Sequence, residues 1–131
     1  MAARWDEVHP PAEAAAAIER GLALVEPLSG AAVADIGCGT GILLGPLLRR
    51  LGPGGRVIAC DLSERMLAIA RERHPDPRIE WRQGDALAHP PAPGSLDVVL
   101  CFDALPHFPD RRATVRTMAG WLAPGGRLLV W

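Results

Sequence analysis

Short apolar segments alternate with segments of helical periodicity along most of the chain. Two of the apolar segments give the clearest signals. LDVVLCF is a near-continuous apolar run, typical of a strand buried on both faces, and RIEWRQGD alternates apolar and polar residues as an edge strand does. The predicted strands are residues 31–36, 56–61, 78–85, 96–102 and 127–131.

Four helices are predicted before and between these strands. Ser63 provides an N-cap for SERMLAIARER, in which apolar residues recur at helical spacing, and Pro27 ends the Ala-rich helix that precedes the first strand. The predicted helices are residues 12–26, 42–50, 63–73 and 110–126, the last with a Gly-rich stop. The regular alternation of strands and helices predicts an α/β fold with a parallel sheet and right-handed crossovers.

Acidic side chains follow four of the predicted strands. They are Asp35, Asp61, Asp85 and Asp103. In a parallel sheet, ligands bind at the carboxyl ends of the strands, near the point where the strand order reverses. Each aspartate alone is also a plausible cap or turn residue, but their repetition at one edge indicates a ligand site.

The loop after the first strand is rich in glycine, which lets a ligand approach the backbone closely. Its spacing is Gly37-x-Gly39-x-Gly41, with no Walker A lysine, and Ile42 stands where the dinucleotide fingerprint needs its last glycine. Asp35 suits a cationic group, and Asp61 suits the two hydroxyls of a ribose. A nucleoside with a free 2′-hydroxyl and a positively charged appendage meets both requirements, and S-adenosylmethionine is such a molecule.

These motifs resemble those of the class I S-adenosylmethionine-dependent methyltransferases. VADIGCGTG is similar to the first motif of that family, VIACDLSERMLAIAR to the second, WRQGDALAHP to the third, and SLDVVLCFDALPHFPD with LAPGGRLLVW to the fourth and fifth strands. The nearest subgroup is the small-molecule methyltransferases related to the quinone-biosynthesis C-methylases. The resemblance covers residues 30–131 and implies a Rossmann-like parallel sheet with flanking helices in strand order 3-2-1-4-5. It also implies an N-terminal helical arm over residues 1–29.

The resemblance implies a role for each motif residue at the cofactor. Asp35 and the backbone of Gly37 and Gly39 would hold the amino and carboxylate ends of the methionine, and Gly41 would allow close packing of the next helix.

The later motifs supply the rest of the implied cofactor site. Asp61 would bind the ribose and Leu62 would lie against the adenine. Asp85 and the backbone of Ala86 would also meet the adenine, and Cys101 would pass near the methionine moiety. Trp5 would cover the cofactor from the N-terminal arm, with ordinary packing as an equal alternative.

Methyl transfer from a sulfonium has a neutral leaving group, so positioning and desolvation supply much of the rate. A general base is needed only where the acceptor must lose a proton. His107 and Asp103, in the loop after the fourth strand, are the candidates, against the alternatives of a packed or capping histidine and a capping aspartate. The other histidines, His9, His74 and His89, stand beside prolines and are expected to be surface loop residues.

Composition excludes several other classes of function. The chain has 131 residues, a formal net charge of −1 and no Lys, which argues against a nucleic-acid partner and against Schiff-base chemistry. Cys38, Cys60 and Cys101 lack metal-ligand spacing and are expected to be buried, reduced thiols, and no metal is expected. Without a signal peptide or a run of membrane-spanning length, the protein is expected to be soluble and cytoplasmic.

The C-terminus departs from the family pattern, because members usually continue for two more strands beyond the fifth. Without them, the strand that ends at Trp131 would be an exposed apolar edge. Three explanations stay open: a C-terminally truncated fragment, a minimal domain that forms a homodimer through that edge, or a remnant that binds cofactor without catalysis. The favoured function is methyl transfer to a small-molecule acceptor. The alternative is a non-catalytic cofactor-binding or interaction domain, and an NAD-dependent oxidoreductase ranks third because its glycine spacing is absent.

Overall fold

Five parallel strands in the order β3-β2-β1-β4-β5 form the centre of the molecule in a computed structural model that describes residues 12–131. The strands are β1 (Ala32–Ile36), β2 (Arg56–Asp61), β3 (Ile79–Gln83), β4 (Leu96–Cys101) and β5 (Leu122–Val130). The helices are α1 (Ala12–Leu24), α2 (Leu44–Leu51), α3 (Glu64–Arg73) and α4 (Arg111–Ala119), with a 3-10 turn at Leu105–His107. The predicted fold class and strand order are confirmed.

Helices cover both faces of the sheet, so the central strand β1 is buried along its whole length. Alternate residues of β1 point to opposite faces: Val33 packs with residues of α1, α2 and α3, whereas Ala34 and Ile36 pack with Met118 of α4. Burial on both faces is why the central strands have near-continuous apolar sequences rather than alternating ones. This arrangement leaves the carboxyl edge of the sheet for polar groups.

The boundary between α4 and β5 differs from the sequence-based prediction. The helix ends at Ala119, and residues 122–126, predicted as a Gly-rich helix stop, already belong to β5. The pairing with β4 explains the difference, because Leu122 is opposite Leu96 whereas Arg127 is opposite Val98. A register irregularity between these pairs absorbs the extra residues, and a local sequence pattern does not reveal such a tertiary pairing. The first helix also ends earlier than predicted, at Leu24 rather than at residue 26.

The two edge strands of the sheet differ in chemistry. On β3, the Arg82 side chain forms an ion pair with Glu80, and the Arg71 guanidinium lies 5.8 Å from the centre of the Trp81 ring. On the opposite edge, β5 is partly exposed through Leu128, Leu129 and Val130, which follow the exposed Arg127, and it has one neighbouring strand among the residues described. One edge is therefore charged and the other largely apolar.

Candidate cofactor site

The glycine loop leaves β1 and folds over the end of β2. The N–H groups of Gly37 and Cys38 both donate to the carbonyl oxygen of Cys60, each at 2.9 Å. Gly37 has a φ of +72°, and a Cβ there would lie 2.6 Å from the Cβ of Ala104, so this position requires glycine. A Cβ at Gly39 would meet nothing within 4 Å, which leaves open space over the backbone at the middle of the loop.

Asp61 connects the glycine loop to the start of α3. One carboxylate oxygen accepts the Gly39 N–H at 2.8 Å, and the other accepts the Ser63 N–H at 2.9 Å. Ser63 in turn caps α3 by accepting the Met66 N–H at 3.2 Å, as predicted. A carboxylate offers about four acceptor positions, so Asp61 retains capacity for two further donors such as ribose hydroxyls.

Asp35 is the most deeply buried acid of the site, with only 1% of its surface exposed. Its Oδ2 atom has no hydrogen-bond partner in the part of the chain that the structure describes. Burial, with the nearby charge of Asp61 as a smaller cause, raises the pKa of Asp35 to about 7. Because buried polar atoms nearly always have partners, this orphaned oxygen fits a site whose missing partner is a cation or a hydrogen-bond donor.

The far side of the site is built from the ends of β2 and β3. The Leu62 side chain is 69% exposed, an unusual state for a large apolar residue, and its carbonyl accepts the side-chain amide of Gln83 at 2.9 Å. Asp85 is exposed and accepts the Leu87 N–H at 2.9 Å, whereas Ala86 is buried in the core beneath α4. Leu62 and Asp85 are therefore both exposed at the carboxyl edge, and their contacts with an adenine stay predictions. Sequence reasoning missed Gln83, whose position at the end of an edge strand was its only signal.

The loop after β4 carries the two candidate bases. Asp103 and His107 are both exposed, and Asp103 has a φ of +53°, a conformation uncommon for residues other than glycine. The Asp103 N–H donates to the carbonyl of Trp131, and the His107 N–H donates to that of Ala104 at 3.0 Å. The structure thus holds both candidates in one loop at the carboxyl edge, and their catalytic roles stay predictions.

The three cysteines are buried as predicted, with exposures of 5% for Cys38, 3% for Cys60 and 0% for Cys101. Burial raises the pKa of all three thiols, to about 12 for Cys60 and about 11 for Cys101. They behave as small apolar side chains. Cys101 is the last residue of β4, and its approach to the methionine moiety stays a prediction.

The expectation for His74 was wrong, since its side chain does not lie in an open loop. It is the C-cap of α3, is half-buried, and its ring lies against the glycine loop at Gly41. His89 is exposed as expected, whereas His9 and Trp5 lie outside the residues that the structure describes.

Residues 12–131 lack the features of a metal centre and of a membrane span. These residues contain no group of three or more His, Cys, Asp or Glu side chains that could hold a metal ion. They also contain no helix that is both long and apolar enough to span a bilayer.

A cavity of about 280 Å³ lies away from the glycine loop, over the sheet face beside β2 and β3. Arg56, Ile58, Arg82 and Pro91 are among its lining residues. None of the predicted cofactor residues lines it, so the carboxyl edge remains the candidate site.

A parallel sheet with a glycine loop, a carboxylate at the end of β2 and a buried acid behind the loop defines a nucleoside-binding Rossmann-like protein. Residues 33–126 match the family model described as a methyltransferase domain, which is more than half of the chain. The chain belongs to that family, the S-adenosylmethionine-dependent methyltransferases of the class I fold.

Curated relatives agree with this membership. The chain is 43% identical over 102 residues to 2-phytyl-1,4-naphtoquinone methyltransferase from Thermosynechococcus vestitus, which covers 77% of this chain and 45% of that protein. It is 42% identical over 110 residues to a ubiquinone biosynthesis O-methyltransferase from Xylella fastidiosa, which covers 79% of this chain and 42% of that protein. The chain therefore spans less than half the length of these relatives.

Solved structures agree as well. Phosphoethanolamine N-methyltransferase 2 from Haemonchus contortus, in complex with S-adenosyl-L-methionine, matches with a TM-score of 0.78 and 30% identity, over 86% of this chain and 27% of that one. A putative S-adenosyl-L-methionine-dependent methyltransferase from Methanococcus maripaludis matches with a TM-score of 0.83 over 98% of this chain and 61% of that one; at 21% identity it shows the shared fold.

Proposed function

We propose that this chain binds S-adenosylmethionine at the carboxyl edge of the sheet and transfers its methyl group to a small-molecule acceptor. The observation that carries the proposal is a set of two aspartates at the loop. Asp61 accepts a hydrogen bond from the Gly39 N–H, and Asp35 is buried behind the loop with an unpartnered carboxylate oxygen. The relatives described above are methyltransferases by name, and none favours the non-catalytic alternative.

Each cofactor-binding residue has a physical role in this proposal. Asp35 balances positive charge at the methionine end, and the remaining acceptor positions of Asp61 take the ribose hydroxyls. The open space over the backbone of Gly39 lets the methionine end of the cofactor approach the loop closely. Exposed Leu62 offers an apolar surface to one face of the adenine.

The contribution of the chain to the chemistry is mainly placement. When bound, S-adenosylmethionine supplies a methyl group on a good leaving group, so alignment and exclusion of water lower most of the barrier. Asp103 or His107 removes a proton only where the acceptor is a hydroxyl or an acidic carbon. The names of the curated relatives support quinone-related aromatic hydroxyls and ring carbons as the first acceptors to test.

The first test is calorimetric titration of the full chain with S-adenosylhomocysteine, with NAD⁺ as a contrasting nucleotide. We expect micromolar binding of S-adenosylhomocysteine and none of NAD⁺. We then expect methyl transfer from labelled S-adenosylmethionine to at least one member of a panel of hydroxylated quinols. Binding without turnover across the panel would favour the non-catalytic alternative, and absence of binding by folded chain would refute the cofactor site.

The open edge of β5 supports a homodimer as a second part of the proposal. The Trp131 N–H donates to Cys101 and its carbonyl accepts from Asp103, so the alternation of the strand directs the N–H groups of Leu128 and Val130 away from β4. A second copy can satisfy those groups by edge-to-edge pairing. Sedimentation velocity over a wide concentration range is expected to show a dimer, and a monomer at the highest concentration would contradict this assembly.

Two further features stay predictions within the proposal. One is the division into an arm over residues 1–29 and a cofactor domain over 30–131, although Ile18 and Leu22 of α1 pack into the same core as the sheet. The other is the cytoplasmic location.

A further inference from the structure

His74 connects the end of α3 to the glycine loop. The residue is the C-cap of α3, and its own N–H donates to the carbonyl of Ala70 at 2.9 Å. Its ring lies against Gly41, where an added Cβ would be 3.1 Å from the His74 Cδ2 atom, and its Cε1 atom is near Gly45 of α2. One imidazole therefore contacts the loop and the helix that follows it.

The carbonyl of Gly41, beside this ring, already accepts a hydrogen bond from the start of α2. The Gly41 oxygen accepts the Leu44 N–H at 3.0 Å, the bond with which the loop turns into α2. The His74 ring packs directly against Gly41, and a hydrogen bond to the Gly41 backbone is one of the causes that act on the pKa of His74. Gly41 has a φ of +89°. Because glycine tolerates many backbone conformations, the form of this turn depends on the contacts that hold it.

The surroundings of the ring favour the neutral imidazole. Burial is the main reason that the pKa of His74 lies below its ordinary value; the bond to Gly41 and the charge of Asp76 oppose the shift, and the charge of Arg73 adds to it. On the α2 side, the charged group nearest to Gly45 is the guanidinium of Arg49. At neutral pH the ring therefore acts as a neutral hydrogen-bond donor.

We infer that His74 is a positioning residue for the cofactor: its ring nitrogen holds the Gly41 carbonyl and thereby keeps the glycine loop in the form that accepts the methionine end. This inference rests on the proposed function. His74 lies behind the loop and does not touch the cofactor itself, so it acts on affinity through the backbone. Asp61 and His74 contact the loop at nearby positions. Asp61 accepts the Gly39 N–H, and the His74 ring lies against Gly41.

The test compares four substitutions of His74. Ala removes ring and donor, and Phe keeps an apolar ring without the donor. Asn and Gln place an amide donor near the positions of Nδ1 and Nε2, so one of them can restore the bond whichever nitrogen makes it. We expect the Kd for S-adenosylhomocysteine to rise about fivefold to tenfold for Ala and Phe, and to return to within about twofold of the wild-type value for at least one amide variant.

A second measurement does not depend on the cofactor. Amide hydrogen exchange at Leu44 in the unliganded chain is expected to be about fivefold faster in the Ala and Phe variants and restored in the rescuing amide variant. His89→Ala is the matched control, because His89 is exposed and also stands beside a proline; it is expected to change neither quantity.

The outcomes distinguish the role of His74 in the loop from cofactor binding by the chain. Wild-type affinity in the Phe variant, or equal losses in the Ala, Asn and Gln variants, would overturn the role of the donor and leave packing as the explanation. If the wild-type chain does not bind S-adenosylhomocysteine, the proposed function fails, and the exchange rates at Leu44 still decide whether His74 holds the loop.

Discussion

Replacing Asp61 by Ala is expected to raise the Kd for S-adenosylhomocysteine by about a hundredfold or more. The substitution removes the proposed acceptor of the ribose hydroxyls. It also removes the acceptor of the hydrogen bonds that the backbone N–H groups of Gly39 and Ser63 donate. Hydrogen bonds to a charged group contribute about 1.5–3 kcal/mol each, so the loss of two ribose bonds alone accounts for a change of this size. Calorimetric titration measures it directly.

The matched control for this substitution is Asp97→Ala. The Asp97 carboxylate also accepts one backbone N–H, that of Ala32 at 2.8 Å, but it does so where β4 begins, at the opposite end of the sheet. We expect the control to lower the melting temperature without weakening binding. Wild-type affinity in the Asp61 variant would remove the ribose role of this carboxylate.

Replacing Asp35 by Asn is expected to have opposite effects on stability and on binding. The free energy of unfolding of the unliganded chain should increase, by an amount on the order of a few kcal/mol at a pH above 7, because the variant no longer buries an ionised carboxylate. The affinity for S-adenosylhomocysteine should fall at least about tenfold, because the balancing charge is lost. Stabilisation at the expense of binding is the usual behaviour of a strained functional site.

The pH dependence distinguishes this explanation from a simple packing effect. Asp35 has a pKa raised from 3.8 to about 7 in the folded chain. The folded state therefore binds the proton more tightly than the unfolded state does, and the contribution of Asp35 to stability is present below 3.8 and is lost as the pH rises to about 7. Urea unfolding across this range should show the advantage of the Asn variant growing with pH. Asp97→Asn should show no such gain, and a constant difference for the Asp35 variant would contradict the buried-charge explanation.

Local patterns were enough to predict the parallel α/β fold and to place acidic residues at the carboxyl edge of the sheet. The apolar strands, the capped helix at Ser63 and the acids after the strands are properties of contiguous residues, and the alternation of elements determines a parallel sheet. The bonds that hold the site together join residues distant in sequence. Gly39 and Asp61 are 22 positions apart, so their bond is visible only in the folded chain.

His74 illustrates why the rest was missed. Its neighbours Pro75 and Pro77 indicate a helix end and a turn, which is correct, but they carry no information about which surface the side chain meets. That surface is the glycine loop, brought there because α2 and α3 pack on the same face of the sheet. The start of β5 was missed for the same kind of reason, since its pairing with β4 overrides the local helix-stop signal.

The difference between the two edges of the sheet makes assembly through β5 self-limiting. In the proposed dimer, pairing of two β5 edges about a twofold axis would use the same surface on both copies and would close, because the described residues offer no second apolar edge to continue the sheet. Both outer ends of the ten-stranded product would be β3, where the Glu80–Arg82 ion pair and the Arg71 side chain over Trp81 place charge along the strand. Charged edges resist further strand addition. The charged edge of β3, which takes no part in the contact, would thus limit the proposed complex to two copies.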